Sequence, residues 1–133
     1  GRSDAPPNLV AVIEDSGYTS AEDMFVRKME SFNLPADLIM RGVNYMSREK
    51  TGVALSEASA LEAARRTKVP TLFIHGTSDL LVPYSMMQEL AAASSASQKE
   101  VLTVEGAWHA AAKAKDPENY YRHVFAFADR CTN

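Results

Sequence analysis

Side chains able to do acid–base or nucleophilic chemistry recur at three points of the chain, each behind an apolar run. They are Asp15 and Ser16 in Asp15-Ser16-Gly17-Tyr18, His75, Ser78 and Asp79 in His75-Gly76-Thr77-Ser78-Asp79, and His109 in Glu105-Gly106-Ala107-Trp108-His109. A carboxylate that accepts one ring N–H of an imidazole fixes its tautomer and stabilises its protonated form, the orienting half of an acid–base–nucleophile relay. An acid after one strand and a histidine after the next would bring that pair together. Two histidines and a carboxylate can also bind iron or zinc, so His75, Asp79 and His109 permit a metal site on composition alone. No histidine or cysteine spacing matches structural zinc, and neither metal nor cofactor is expected.

Each residue also has a plain structural reading. Aspartate is common in turns such as Gly-Thr-Ser-Asp because it bonds its own backbone. His109 taken alone is a loop or helix-capping histidine, His75 a packed residue at a strand end, and His123 a solvated one. Asp15 lines a site mouth or caps a turn. Ser16 and Ser78 are the nearest substitutes for a nucleophile, yet neither sits in a Gly-x-Ser-x-Gly elbow, so both read as turn residues. Trp108 beside His109, with Tyr18 and Asp15, is a candidate pocket wall. Met24, Met29, Met40, Met46, Met86 and Met87 read as packing.

The elements that must hold these loops follow from periodicity. Leu9–Ile13 is a continuous apolar run that predicts a buried parallel strand. Thr19 with Glu22, or Ser20 with Asp23, can open a helix over about Ala21–Phe32. Leu38, Ile39, Val43, Tyr45 and Met46 suggest a second helix, and Arg48–Gly52 a polar turn. Ser59 with Glu62 opens a short third helix. Val69–Ile74 is a second strand, and Pro83 starts a helix to about Ser94. Glu100–Val104 is a third strand near a sheet edge, and Asp116-Pro117 starts the closing helix. Strands alternating with helices predict an α/β fold, a parallel sheet covered by right-handed crossovers. Catalytic groups in such sheets gather beyond the carboxyl ends of the strands, where all three loops lie.

Composition narrows the class. The chain has 133 residues, 46% hydrophobic and 23% charged, which fits one globular core rather than a disordered or fibrous chain. Its 14 basic and 17 acidic residues give a net charge of −3, no field for phosphate backbones or anionic lipid, so neither nucleic acid nor membrane is an expected partner. No apolar run approaches the ~20 residues of a membrane span. Gly1–Pro7 lacks the features of a signal peptide. The single cysteine, Cys131, fits either a reducing or an oxidising compartment.

Val69-Pro70-Thr71-Leu72-Phe73-Ile74-His75-Gly76-Thr77-Ser78-Asp79-Leu80-Leu81-Val82-Pro83 resembles the α/β-hydrolase segment in which a strand ends in His-Gly and the catalytic acid precedes Val-Pro. Val104-Glu105-Gly106-Ala107-Trp108-His109 is similar to the loop carrying that family's catalytic histidine, Asp116–Tyr120 with Val124 and Phe127 to its last helix, and Leu9–Ser20 to the strand and turn after the nucleophile helix. The resemblance implies Asp79 as the acid and His109 as the general base of a serine hydrolase acting on an ester, thioester or amide. It also implies that residues 35–68 lie where cap helices are inserted, which makes Leu38, Ile39 and Tyr45 candidates for substrate contact.

The departure is as informative. In that family the order is serine, acid, histidine, and no Gly-x-Ser-x-Gly occurs here. The chain is therefore expected to be the C-terminal portion, residues 1–133, of an α/β-hydrolase domain, with about three strands and inactive alone. Its expected partners are a small acyl substrate and the missing N-terminal half, or a second copy paired through an exposed strand edge. A serine peptidase of similar fold and a non-catalytic binding or assembly domain are the competing readings.

Overall fold

The computed structural model describes residue 6, residues 8–57 and residues 59–132; the readings of residues 1–5 and Pro7 lie outside them. Three parallel strands form one sheet in the order β1-β2-β3: β1 (Val12–Asp15), β2 (Thr71–Gly76) and β3 (Lys99–Val104). The predicted α/β architecture is present. Helices α1 (Ala21–Ser31), α2 (Ala36–Thr51) and α3 (Ala60–Arg66) connect β1 to β2, and α4 (Tyr84–Ala93) connects β2 to β3. The short α5 (Ala112–Lys115), which periodicity did not reveal, precedes the closing α6 (Pro117–Thr132).

The alternation of side chains along β2 divides the core in two. Leu72 and Ile74 face α6 and pack with Leu102, Val104, Ala107, Ala112 and Phe127. Phe73 faces the other way and packs with Ala64 of α3 and Met87, Leu90 and Ala91 of α4. His75 shares the Phe73 face. Met29, Ala36 and Met40 form a separate small core between α1 and α2.

Local signals explain most boundaries. Of the two predicted N-terminal pairs for α1, Ser20 takes the cap, accepting the Asp23 N–H at 3.0 Å. Ser59 accepts the Glu62 N–H at the start of α3, and Asp116 accepts the Asn119 N–H at 3.2 Å at the start of α6. Pro83 stands at the N-cap of α4, one residue before its first helical turn.

Three expectations need correction. The predicted polar turn at Arg48–Gly52 is the last turn of α2, because its charged residues are good helix formers; the helix ends at Gly52, whose φ of 78° supplies the left-handed cap. The first strand lies at Val12–Asp15 rather than Leu9–Ile13, and is not buried: Leu9, Val10, Val12 and Ile13 are all exposed, since β1 pairs with β2 on one side only. Met46 is exposed on α2 rather than packed, whereas Met29, Met40, Met86 and Met87 are in cores.

Candidate active site

β2 ends in a turn built around Asp79. Its Oδ1 accepts the backbone N–H groups of Leu81 at 2.9 Å and Val82 at 2.8 Å, the self-bonding turn that the sequence suggested. Its Oδ2 faces two imidazoles, with His109 Nδ1 at 2.9 Å and His75 Nε2 at 3.3 Å. The Asp79 side chain is wholly buried, whereas that of His109 is 38% exposed. The carboxylate is thus fixed from below while the imidazole stands at the surface.

The two loops meet because Gly76 has no side chain: a Cβ there would lie 2.1 Å from the carbonyl oxygen of Ala107. Ser78 donates its N–H to that same carbonyl at 3.0 Å, and Gly106 donates to Thr77 Oγ1 at 2.9 Å. After His109 the chain reverses at Ala110, whose φ is 50°, and the Ala110 N–H bonds Ser16 Oγ at 3.1 Å. Ser16, itself at φ 62°, donates its hydroxyl to Asp15 Oδ1 at 2.9 Å. All three strand ends are therefore stitched into one surface.

Asp15 is not the partner of His109. Its Oδ2 accepts the Tyr120 hydroxyl at 3.0 Å, tying β1 to α6. Burial, followed by the bond to Asp15 and its charge, pushes the Tyr120 phenol up to about 12. Asp15, Tyr18 and His109 nevertheless line one cavity of about 410 Å³, together with Ser16, Met24, Phe25, Leu81 and Val82. His109 Nδ1 is committed to Asp79, and Nε2 has no protein partner among the described residues.

This arrangement, an acid and a histidine on the loops after β2 and β3 of a parallel sheet, can be compared with known proteins. The family model described as "Serine aminopeptidase, S33" matches residues 40–116, more than half of the chain and including both loops. The chain belongs to this α/β-hydrolase family. Among solved structures, the S33 chain is similar to an esterase from Pyrococcus furiosus, at 20% identity over 95% of this chain and 47% of that one, with TM-score 0.64. It is likewise similar to a thermophilic esterase from Thermogutta terrifontis, at 13% identity, covering 93% of this chain and 57% of that one, TM-score 0.59. A monoacylglycerol lipase from Paleococcus ferrophilus is matched at 15% identity, 90% of this chain and 58% of that one, TM-score 0.54. The S33 chain thus spans about half the length of these structures. No curated protein matches its sequence.

Not every candidate reaches the cavity. Trp108 is 71% exposed and outside its lining, and Leu38, Ile39 and Tyr45 are exposed on α2, also outside it. Ser78 spends its N–H on the loop junction. Ser16 Oγ is held by Ala110 and Asp15, as a turn residue would be. His123 is half-buried, with Nδ1 at 2.9 Å from the Asn119 carbonyl, rather than fully solvated. Among the described residues, no three His, Cys, Asp or Glu side chains are grouped to hold a metal ion, and no helix is long and apolar enough to cross a membrane.

Sequence reasoning missed Glu14. Burial drives its carboxyl up from 4.5 to about 7, against the Gly17 N–H, which lowers it, and with the Asp15 charge adding to the rise. Its Oε2 is buried without a partner, and it lines a second cavity of about 530 Å³ with Val12, Phe73 and Leu90. Alternation would have found it, since Glu14 shares the Val12 face of β1. Gly17 leaves room for it: a Cβ there would lie 1.5 Å from Glu14 Oε1 and make that side chain shift.

Proposed function

We propose that this chain supplies the acid, Asp79, and the general base, His109, of an acyl hydrolase of the ester or thioester class, to a nucleophilic serine outside these 133 residues. The observation that carries the reading is the 2.9 Å contact from His109 Nδ1 to buried Asp79 Oδ2. That contact puts the ring proton on Nδ1 and leaves Nε2 bare to take a serine proton, and Asp79 then stabilises the imidazolium. His109 later returns the proton to the leaving group, and in deacylation it activates water in the same way.

The serine is best supplied by a segment pairing along the free edge of β1, beside the Asp15–Tyr18 end of the cavity. The edge offers unpaired backbone groups and exposed Val12 and Ile13 for such a neighbour. Pairing of two copies through the same edge is the competing use of it. Light scattering of the isolated chain separates them, a concentration-independent monomer counting against self-association.

The lining of Met24, Phe25, Leu81 and Val82 suits an apolar acyl group. A peptidase reading has one specific support, the Asp15 carboxylate in the same cavity, which could meet a substrate's amino group. Parallel assays on p-nitrophenyl esters and aminoacyl p-nitroanilides decide between them.

The test of the whole reading is a fluorophosphonate probe applied to the native product that contains these residues. A labelled serine, with labelling and ester hydrolysis reduced at least roughly a thousandfold in His109→Ala, is the expected result. Ester hydrolysis by the pure 133-residue chain that vanishes in His109→Ala would overturn the external serine. Absence of labelling would favour a binding or assembly domain.

A further inference from the structure

We propose that His75 is a positioning residue for Asp79, its single Nε2 proton clamping the acid turn in the orientation that His109 requires; this rests on the reading of Asp79 and His109 as acid and base. His75 is completely buried on β2, and its Nε2 lies 2.9 Å from the Val82 carbonyl oxygen. A carbonyl only accepts, so Nε2 carries the hydrogen. The same nitrogen lies 3.3 Å from Asp79 Oδ2, a close electrostatic contact, while its proton is directed to the Val82 carbonyl. His75 Nδ1 is buried with no partner; a second proton there would be a donor without an acceptor, so the ring carries one proton.

The consequence is a chain of bonds from His75 through Val82 to Asp79. Val82 donates its N–H to Asp79 and accepts from His75 through its carbonyl, so its peptide groups are held on both sides. Asp79 Oδ1 takes two backbone donors, and Oδ2 takes His109 from the surface with His75 Nε2 close by at 3.3 Å from inside the fold. With two backbone donors on Oδ1, and with Val82 held in turn by His75, the carboxylate has little freedom to swing away when His109 moves. The His75 ring is itself oriented edge-on by Tyr84, centroid to centroid 6.0 Å, whose hydroxyl is anchored 2.7 Å from Thr103 Oγ1 on β3. The titratable groups facing His75 are thus Asp79 and Tyr84, and those about His109 are Asp79 and, across the cavity, Asp15 and Tyr18.

The 133-residue chain suffices for the test. Long-range proton–nitrogen NMR should find His75 protonated on Nε2 and bare on Nδ1. In His75→Phe, which keeps a ring against Tyr84 but has no donor, hydrogen exchange at His109 Nδ1 and at the Leu81 and Val82 amides should quicken roughly tenfold, the scale of one hydrogen bond. His75→Gln, whose amide nitrogen reaches the Nε2 position, should restore slow exchange, and Phe73→Leu on the same strand face should leave it unchanged. If His75→Phe does not fold, His75→Asn, whose shorter amide stops short of the Val82 carbonyl, takes its place. Protonation on Nδ1, or an exchange rate unmoved in the donor-less variant, or equal acceleration in Phe73→Leu, would overturn the proposal. Labelling by fluorophosphonate is independent of these signals, so failure of the hydrolase reading and failure of the clamp are separable.

Discussion

Two neighbouring parallel strands end in acidic turns, and the two ends differ in how completely they are satisfied. At the end of β2, both oxygens of Asp79 are engaged, and the side chain is wholly buried. At the end of β1, Asp15 is engaged by Ser16 and Tyr120, but its neighbour Glu14 keeps one buried oxygen without a partner. The strand direction is the same; the surroundings are not. β2 has a strand on each side and helices on both faces, so its turn can be packed and donated to from all directions. β1 has one neighbour, and its polar groups are met by whatever α6 and the Gly17 turn provide. A pair fixed in advance belongs at the central strand's end, and an unfinished surface at the edge.

The sharpest way to break this contrast is Asp79→Ala. It leaves the Leu81 and Val82 N–H groups without their acceptor, and should cost the chain about 2–4 kcal/mol in urea unfolding. If Asp79→Ala and Asp15→Ala cost the same, the two ends are equivalent and the contrast fails.

Glu14→Gln should act in the opposite sense. The folded-state carboxyl titrates at about 7 against 4.5, so between those values the folded chain binds more protons than the unfolded one and stability falls as pH rises. Above about pH 7 the loss is complete. The amide keeps an acceptor for Gly17 without the charge, so Glu14→Gln should stabilise the chain at pH 8 by about 1–3 kcal/mol and flatten its pH dependence between about 5 and 7. An unchanged slope would show that Glu14 is solvated after all. Tyr120→Phe is smaller: it removes one hydroxyl from Asp15, about 1 kcal/mol, and abolishes the phenol that titrates near 12, which ultraviolet difference spectra follow.

How much of this was legible depended on whether the signal was local. Capping residues Ser20, Ser59 and Asp116, the three strands and the Asp79–His109 juxtaposition could be read from spacing and resemblance, because each rests on residues close in sequence or on strand order. The buried state of β1 could not, since the run Leu9–Ile13 carries no record of what lies beside it. Nor could the end of α2, where charged residues suit a turn or a helix and only Gly52 decides. The long-range links, Ser16 to Ala110 and Tyr120 to Asp15, are set by packing of elements far apart in the chain. His75 was read as packed, which it is; its bond to Val82 depends on a turn geometry that the sequence does not specify.

His109→Ala has the smallest expected effect on folding, and for that reason tests the contrast most finely. The ring is partly open to water, so its bond to Asp79 competes with solvent, and water can enter the vacated place while the Leu81 and Val82 N–H groups continue to hold the carboxylate. The expected loss is about 0.5 kcal/mol in urea unfolding, with the slope unchanged. In the native product the same substitution should abolish hydrolysis. A residue nearly neutral for stability and decisive for chemistry is placed by the fold and not part of what holds it. If instead His109→Ala costs as much as Asp79→Ala, the Asp79 turn depends on its outer partner, and its preorganisation from the interior would have to be abandoned.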